Sequence, residues 1–258
     1  MPRKVYLDAQ DEMLDLLRQQ NELLRQLSID VRLQSFGENR TLKLVAPTYE
    51  VQFYLPDVAT DELQRWIFDS GNFYEIRLLE KAAPHIPDNA SVLDVGANIG
   101  NHTLYFLKVC NARRVTCFEP QRRVYDTLVR NLELNGADNA ETLNVAVGAT
   151  EGRVKPLPGF KPRNLGGTAF APSEQGSIPC VSLDDVVKEQ VDFIKIDVEG
   201  MQAEVLKGAW GVIDRYRPPL WIESRPGTEA HEYVSEQLSS RGYRATLLSR
   251  KNHLFLTK

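Results

Sequence analysis

The stretch Ser91–Thr103, S-V-L-D-V-G-A-N-I-G-N-H-T, constrains the chain more than any other. Its apolar opening, Val92-Leu93, closed by Asp94 and Val95, has the β-branched character of a short buried parallel strand. Gly96, Ala97 and Gly100 follow as a turn of small residues, and Asn101–Cys110 resumes with helical spacing. A strand that runs through a glycine turn into a helix N-terminus presents free backbone N–H groups to a ligand. Glycine lets the backbone come close to it.

The spacing narrows the choice of ligand. A dinucleotide fingerprint requires G-x-G-x-x-G, and here the middle position is Asn98, with Asn101 and His102 beyond Gly100. Asp94, at the strand end, is placed for a cationic or amine-bearing group. Glu119 closes the next apolar run, Arg114–Phe118, where a carboxylate accepts both hydroxyls of a ribose. Asp94, Gly96, Gly100 and Glu119 together point to S-adenosylmethionine, which carries an amino-acid tail and a ribose but no phosphate. Asn98 joins the two glycines as a cofactor-binding position of the turn.

Other classes are disfavoured by composition. A net charge of −4 gives no basic excess for nucleic acid. No apolar stretch approaches the roughly 20 residues that span a bilayer, and Met-Pro-Arg-Lys lacks a signal-peptide core. Cys110, Cys117 and Cys180 show no paired metal or redox spacing, so a cytoplasmic location is expected.

Three regions are expected along the chain. Residues 1–30 carry an amphipathic helix over Tyr6–Leu27, in which Met13, Leu17, Gln20, Leu24 and Leu27 alternate by fours and threes. That row makes either a coiled-coil seam joining subunits into a homo-oligomer or a face packed on its own domain. Leu14, Leu16 and Leu23 widen it. Residues 31–72 turn at Gly37-Glu38-Asn39, alternate at Val51, Phe53 and Leu55, and end in a helix from Asp61 to Ser70, reading as a small antiparallel β cap with a helix. Residues 73–258 form the main domain. Asn72-Phe-Tyr-Glu75 opens its first helix, and Tyr74 and Glu75 are candidates to fold back over the cofactor.

From Val92 the elements alternate strand and helix, as in a doubly wound α/β sheet whose ligands lie beyond the carboxyl ends of the strands. Arg122–Leu134 is helical and stops at Asn135-Gly136, and Glu141–Val147 reads as the third strand, with Asn144 near its carboxyl end. Glu151–Pro179, with five prolines and the paired Gly166-Gly167, reads as a long irregular lid. In Val191–Ala209, Phe193, Ile194 and Ile196 form a strand with Asp197 and Glu199 at its carboxyl end. These carboxylates suit a base, a hydroxyl-positioning group or a metal ligand; Glu199 also suits the first turn of the next helix. Leu220-Trp-Ile-Glu223 brings a further carboxylate to that edge. His102, in the first turn of its helix, is another candidate base.

These stretches together resemble the FkbM family of S-adenosylmethionine-dependent methyltransferases. The matching pieces are Val92–Gly100, Phe118-Glu-Pro120, Asn164-Leu-Gly-Gly167, Ser182-Leu-Asp-Asp185 and Ile194-Lys-Ile-Asp-Val-Glu-Gly200. The resemblance runs from about Phe73 to the end. It implies the Rossmann-like seven-stranded class I methyltransferase sheet and methyl transfer to a hydroxyl of a small-molecule or glycan acceptor, such as a sugar or a secondary metabolite. It places Asp94 at the methionine end, Glu119 at the ribose, the strand end from Asn144 at the adenine, and Asp197 at the acceptor hydroxyl, directly or through a metal. By analogy with other O-methyltransferases of this fold, Asp197 and Glu223 become ligand candidates for Mg2+ or another divalent cation. One departure stands out: Gln202 occupies a position where the family carries glutamate, and a helix-surface role there would tolerate the amide.

Two other readings remain open at this point. An NAD-dependent oxidoreductase also wants Glu119 but lacks its glycine fingerprint. A methyltransferase-like module without catalysis, assembling through the N-terminal helix, would accommodate Gln202.

Overall fold

The computed structural model describes residues 2–158 and 164–257, so Gly159 and Pro162 of the expected lid lie outside it. The chain divides into two compact units between Thr41 and Leu42. The first is one helix, α1 (Pro2–Ser35), with the turn after it. It runs past the expected Tyr6–Leu27 because no breaker follows until Gly37, which takes φ 70°.

The chain continues with a two-stranded sheet, β1 (Thr41–Ala46) and β2 (Tyr49–Tyr54), whose Val51 and Phe53 are fully buried. Helix α2 (Glu62–Ser70) starts where the Asp61 carboxylate accepts the Gln64 N–H and stops at left-handed Gly71. Glu75, itself left-handed, precedes α3 (Ile76–Ala82).

Then come β3 (Ser91–Val95), α4 (Asn101–Lys108), β4 (Arg114–Phe118), α5 (Arg122–Leu134) and β5 (Ala140–Leu143). The first sheet rests on α5: Asn131 and Asn135 accept the backbone N–H groups of Tyr54 and Gln52 at 2.6 and 2.8 Å. Asn131 also donates to Ile99 O, tying that sheet to the glycine turn.

The strand expected over Glu141–Val147 is broken. It leaves the main sheet after β5 and resumes as β6 (Ala146–Val147) in a different sheet. At the break, Asn144 turns its amide onto Glu119 O and Pro120 O, 2.8 and 3.2 Å away. The segment expected as an irregular lid supplies β7 (Gly152–Pro156), β8 (Phe170–Pro172) and β9 (Ile178–Val181), which with β6 make a four-stranded sheet. Pro156 and Pro172 each occupy the last position of a strand, where proline is tolerated.

The rest is α6 (Leu183–Val186), β10 (Phe193–Ile196), α7 (Gln202–Lys207), α8 (Trp210–Tyr216), β11 (Leu220–Glu223), α9 (Glu229–Ser240), β12 (Tyr243–Leu247) and β13 (Asn252–Thr257). Among the described residues the main sheet has seven strands in the order β12-β13-β11-β10-β3-β4-β5. β10 pairs in parallel with β3 and β11, and β13 runs antiparallel to β11. This is the doubly wound class I methyltransferase sheet. Its centre is largely apolar, with Val92, Phe193, Ile194, Ile196, Leu220 and Ile222 all fully buried, and the paired Asp94 and Lys195 of β3 and β10 are the charged exception.

Candidate active site

β3 and β10 are neighbours in the sheet, but β3 continues towards β4 on one side and β10 towards β11 on the other. Such a reversal opens a crevice beyond the carboxyl ends of the strands. A pocket of about 190 Å³ lies there, with walls from both ends of the sequence.

The glycine turn forms its floor. Gly96 has φ 83°, and a Cβ on it would overlap the backbone carbonyl of Asp197. Only glycine lets the turn after β3 pass so close to the strand end of β10. Asn98, also left-handed, donates its backbone N–H to Glu119 Oε2 at 3.0 Å, while Glu119 Oε1 accepts from Gln121 N at 2.9 Å. Glu119 is 4 % exposed, and burial pushes its carboxyl up to about 7 against these two hydrogen bonds and the Lys195 charge.

Beneath the floor lies a buried ion cluster. Lys195 Nζ reaches Asp94 Oδ1 at 3.2 Å, Gly96 O at 3.3 Å and Asp197 Oδ2 at 3.4 Å. Burial opposes the ammonium charge, but Asp94 and Asp197 outweigh it and raise the Lys195 pKa. Asp94 also accepts from Thr103 Oγ1 at 2.7 Å and is fully buried. It supports the turn from below and does not line the pocket.

One wall carries Tyr74, Glu75, Asp197, Glu199 and Glu223. Burial, reinforced by Asp197, Glu75 and Glu199, pushes the Glu223 carboxyl up to about 7, with Lys251 opposing. Lys251 Nζ is 3.6 Å from Glu223 Oε1. Glu75 goes the other way: burial raises its pKa, but the facing His102 imidazole holds it below the usual carboxylate value. The two side chains lie 3.5 Å apart, His102 Nε2 to Glu75 Oε2. Tyr74 is fixed by a reciprocal pair with Asn101, whose side chain accepts the Tyr74 N–H and donates to its carbonyl at 2.9 and 3.0 Å. Burial and the surrounding carboxylates keep its phenol neutral, with a pKa near 12.

The Asn164-Leu-Gly-Gly167 segment closes the rim. Leu165 N donates to Asp61 Oδ2, Gln121 Nε2 donates to Leu165 O, and Thr168 Oγ1 donates to Gln121 Oε1, at 2.9, 2.7 and 3.1 Å. Gly166 lies so close to Asn98 that a Cβ would overlap its side-chain amide.

Of the residues singled out in the sequence, Tyr74, Glu75, Gly96, Asn98, Glu119, Asp197, Glu199 and Glu223 line the pocket, and Asp94, Gly100, His102 and Asn144 stand behind it. His102 is 5 % exposed and packs edge-on against Trp221, so it reaches the pocket only through Glu75. Asn144 acts on the carbonyls at Glu119 and Pro120, and Val145–Val147 present the wall instead. Sequence reasoning missed Lys251, Gln121 and Glu62. No motif marks Lys251 or Glu62, which arrive from elements placed by tertiary packing, whereas Gln121 directly follows Phe118-Glu-Pro120 and could have been found from that motif.

The metal reading of Asp197 and Glu223 gains no support. Among the described residues, no group of three or more His, Cys, Asp or Glu side chains is placed to hold an ion. The charge beside Asp197 is the Lys195 ammonium. Gln202 also departs from expectation. Instead of lying on a helix surface it is 8 % exposed and donates its amide to Glu223 O at 3.0 Å, a bond that an ionised glutamate has no proton to make.

The FkbM methyltransferase domain model matches residues 94–245, more than half of the chain. The chain is 28 % identical over 190 residues to methyltransferase sdnD of Sordaria araneosa, covering 57 % of this chain and 73 % of that one. It is 25 % identical over 159 residues to methyltransferase 1 of Beauveria bassiana, covering 50 % and 63 %. Among solved structures it is similar to a methyltransferase FkbM from Methylobacillus flagellatus, at 18 % identity and a TM-score of 0.48 over 70 % of this chain and 58 % of that one. The chain thus spans little more than half the length of that solved relative. A putative methyltransferase from Streptococcus mutans, solved in complex with SAH, is 13 % identical, with a TM-score of 0.47 over 70 % of this chain and 96 % of that one. By the extent of the domain match, this chain belongs to the FkbM family of methyltransferases.

Proposed function

We propose that the protein transfers the methyl group of S-adenosylmethionine to a hydroxyl of a sugar, a glycan or a secondary metabolite. The observation that carries this reading is the chemical division of one pocket. Glu119 and the Gly96–Asn98 turn lie at one end, and Tyr74, Glu75, Asp197, Glu199 and Glu223 form a wall of hydrogen-bond acceptors beside them.

The first end fits the cofactor. A turn with no Cβ at Gly96 admits a close approach, and a buried carboxylate at Glu119 has lone pairs left for ribose hydroxyls. When bound, S-adenosylmethionine supplies an activated methyl group on a sulfonium. The residues of this chain then have two tasks, to hold the acceptor oxygen in line and to take its proton. Asp197 and Glu223 meet at the carboxyl ends of β10 and β11, and Glu223 has a proton affinity suited to a base near neutrality. Glu75 and Glu199 are further acceptors for the hydroxyls of a polyol, and the Tyr74 ring offers an apolar face to its carbons. His102 serves as a positioning residue for Glu75.

Cys110, Cys117 and Cys180 are free thiols, which suits a reducing compartment such as the cytoplasm. No helix among the described residues is long and apolar enough to cross a membrane.

Calorimetric titration with S-adenosylmethionine and with NAD, each with and without magnesium, tests the reading. Binding of S-adenosylmethionine alone is expected, followed by methyl transfer to a hydroxyl when polyol acceptors are screened. Binding of NAD, or turnover only on amine acceptors, would sink it.

A further inference from the structure

The helix α1 carries an apolar row for which, among the described residues, its own unit supplies no second element. Met13, Leu17, Gln20, Leu24, Leu27 and Val31 follow steps of four, three, four, three and four, and the five apolar members are 46–60 % exposed. The strict alternation of fours and threes repeats every seven residues, with Met13 to Leu27 and Leu17 to Val31 each spanning two full heptads, and that 3.5-residue period belongs to a supercoiled seam, whereas a face packed on a globular core drifts at 3.6. We propose that this row is the seam of a parallel, in-register coiled coil between copies of this chain.

Three features select a second copy as the occupant. With Leu17, Leu24 and Val31 as a positions and Met13, Gln20 and Leu27 as d positions, the flanking e and g positions from 14 to 28 are Leu14, Leu16, Asn21, Leu23 and Ser28. None carries a charge, so identical helices meet without the like-charge repulsion that flanking residues use to reject partners. The charged side chains Asp11, Glu12, Asp15, Arg18, Glu22 and Arg32 all fall on the outer b, c and f positions, and Arg18 pairs with Asp15 along its own helix at 2.9 Å. Finally, Gln20 is the one polar residue of the seam. A primary amide is both donor and acceptor, so Gln20 of one copy satisfies Gln20 of another only when the helices are parallel and in register. The uncharged leucines beside the seam broaden the surface that an assembly covers.

The test uses the full chain. Sedimentation equilibrium from about 1 to 100 µM, a range that brackets the micromolar affinities of modest association, should give a whole multiple of the chain mass for the wild type. The Leu17→Glu/Leu24→Glu double variant should give a single chain mass with an unchanged near-ultraviolet spectrum from the tryptophans, all of which lie in the second unit. Arg18→Glu, on the outer face, should leave the mass of the assembly as it is. Gln20→Cys should form an interchain disulfide on oxidation, above the wild-type background. A wild type that stays monomeric over the range, or a double variant of undiminished mass, overturns the assembly; failure of Gln20→Cys to cross-link overturns its parallel register.

Discussion

Lys195 Nζ lies 3.2 Å from Asp94 Oδ1, in a position where neither residue reaches water. The pair joins the strand that leads into the glycine turn to the strand that ends in Asp197, across 101 residues of sequence. The same ammonium holds the Gly96 carbonyl and the Asp197 carboxylate. The floor of the pocket and the Asp197 carboxylate at the end of β10 are thus held by one buried cation.

Removing that cation strands two carboxylates. Lys195→Met should cost about 3–5 kcal/mol of stability, the usual penalty for breaking a buried pair from one side. Adding Asp94→Asn should return a large part of it, because the amide needs no counter-charge. Urea denaturation of the two variants checks this, and equal losses in both would show that the stranded Asp94 charge is not what costs the stability.

At the other end of the pocket, the role proposed for Glu119 is to offer its remaining lone pairs to a ribose. Hydrogen bonds to a charged group contribute about 1.5–3 kcal/mol each, so at pH 8, above the value of about 7 at which this carboxyl ionises, Glu119→Ala should weaken S-adenosylmethionine binding by roughly 100-fold or more. Calorimetry reads the affinity, and the melting temperature checks that the Asn98 and Gln121 amides have found water as a substitute. An unchanged affinity would remove Glu119 from the cofactor site.

Much of this arrangement was legible before any coordinates. The strand–turn–helix at Ser91–Thr103 and the acidic ends of β4, β10 and β11 are local patterns, and local patterns survive folding. The two errors in the sheets have a common origin. Asn144 looks like a strand residue by its neighbours, but its amide is spent on the Glu119 and Pro120 carbonyls, which diverts the chain into a second sheet. Pro156 and Pro172, two of the prolines that made Glu151–Pro179 look irregular, sit at strand ends, a placement that depends on pairings far apart in sequence. Asp94 and His102 belong to the site by sequence position, yet the structure buries them one layer behind it. Sequence spacing reports which strand end a residue occupies, and packing decides whether its side chain faces the ligand or a partner beneath.

Glu223 links the site to pH. Its carboxyl moves from an unfolded value of 4.5 to about 7 in the fold, through burial and the facing Asp197, Glu75 and Glu199. Between those values the unfolded chain has released the proton and the folded chain still holds it, so stability falls as pH rises through the window and stays lower above it. Glu223→Gln should therefore raise stability at pH 8, by up to about 3 kcal/mol at about 1.4 kcal/mol for each tenfold change in protonation. At pH 4, where both states are protonated, it should change little. Turnover by the wild type should rise as pH passes about 7, and the variant should lose that limb along with most of its activity. Thermal melts at the two pH values and a pH–rate profile separate these effects.

The rim gives a last prediction. Gln121 stands between the Asn164-Leu-Gly-Gly167 segment and the carboxylate of Glu119, giving its amide to Leu165 O, taking the Thr168 hydroxyl, and sending its own backbone N–H to Glu119 Oε1. Only the first two bonds depend on the side chain. Gln121→Ala therefore releases the rim and leaves the Glu119 contact in place. With each neutral hydrogen bond contributing about 1 kcal/mol, cofactor affinity should fall by roughly tenfold while the Tm changes by only a few degrees. The released segment should also be cut sooner by a protease of broad specificity, and bound cofactor should slow the cut in the wild type more than in the variant. Equal protection of both proteins would mean that the Asp61–Leu165 bond holds the rim without help from Gln121.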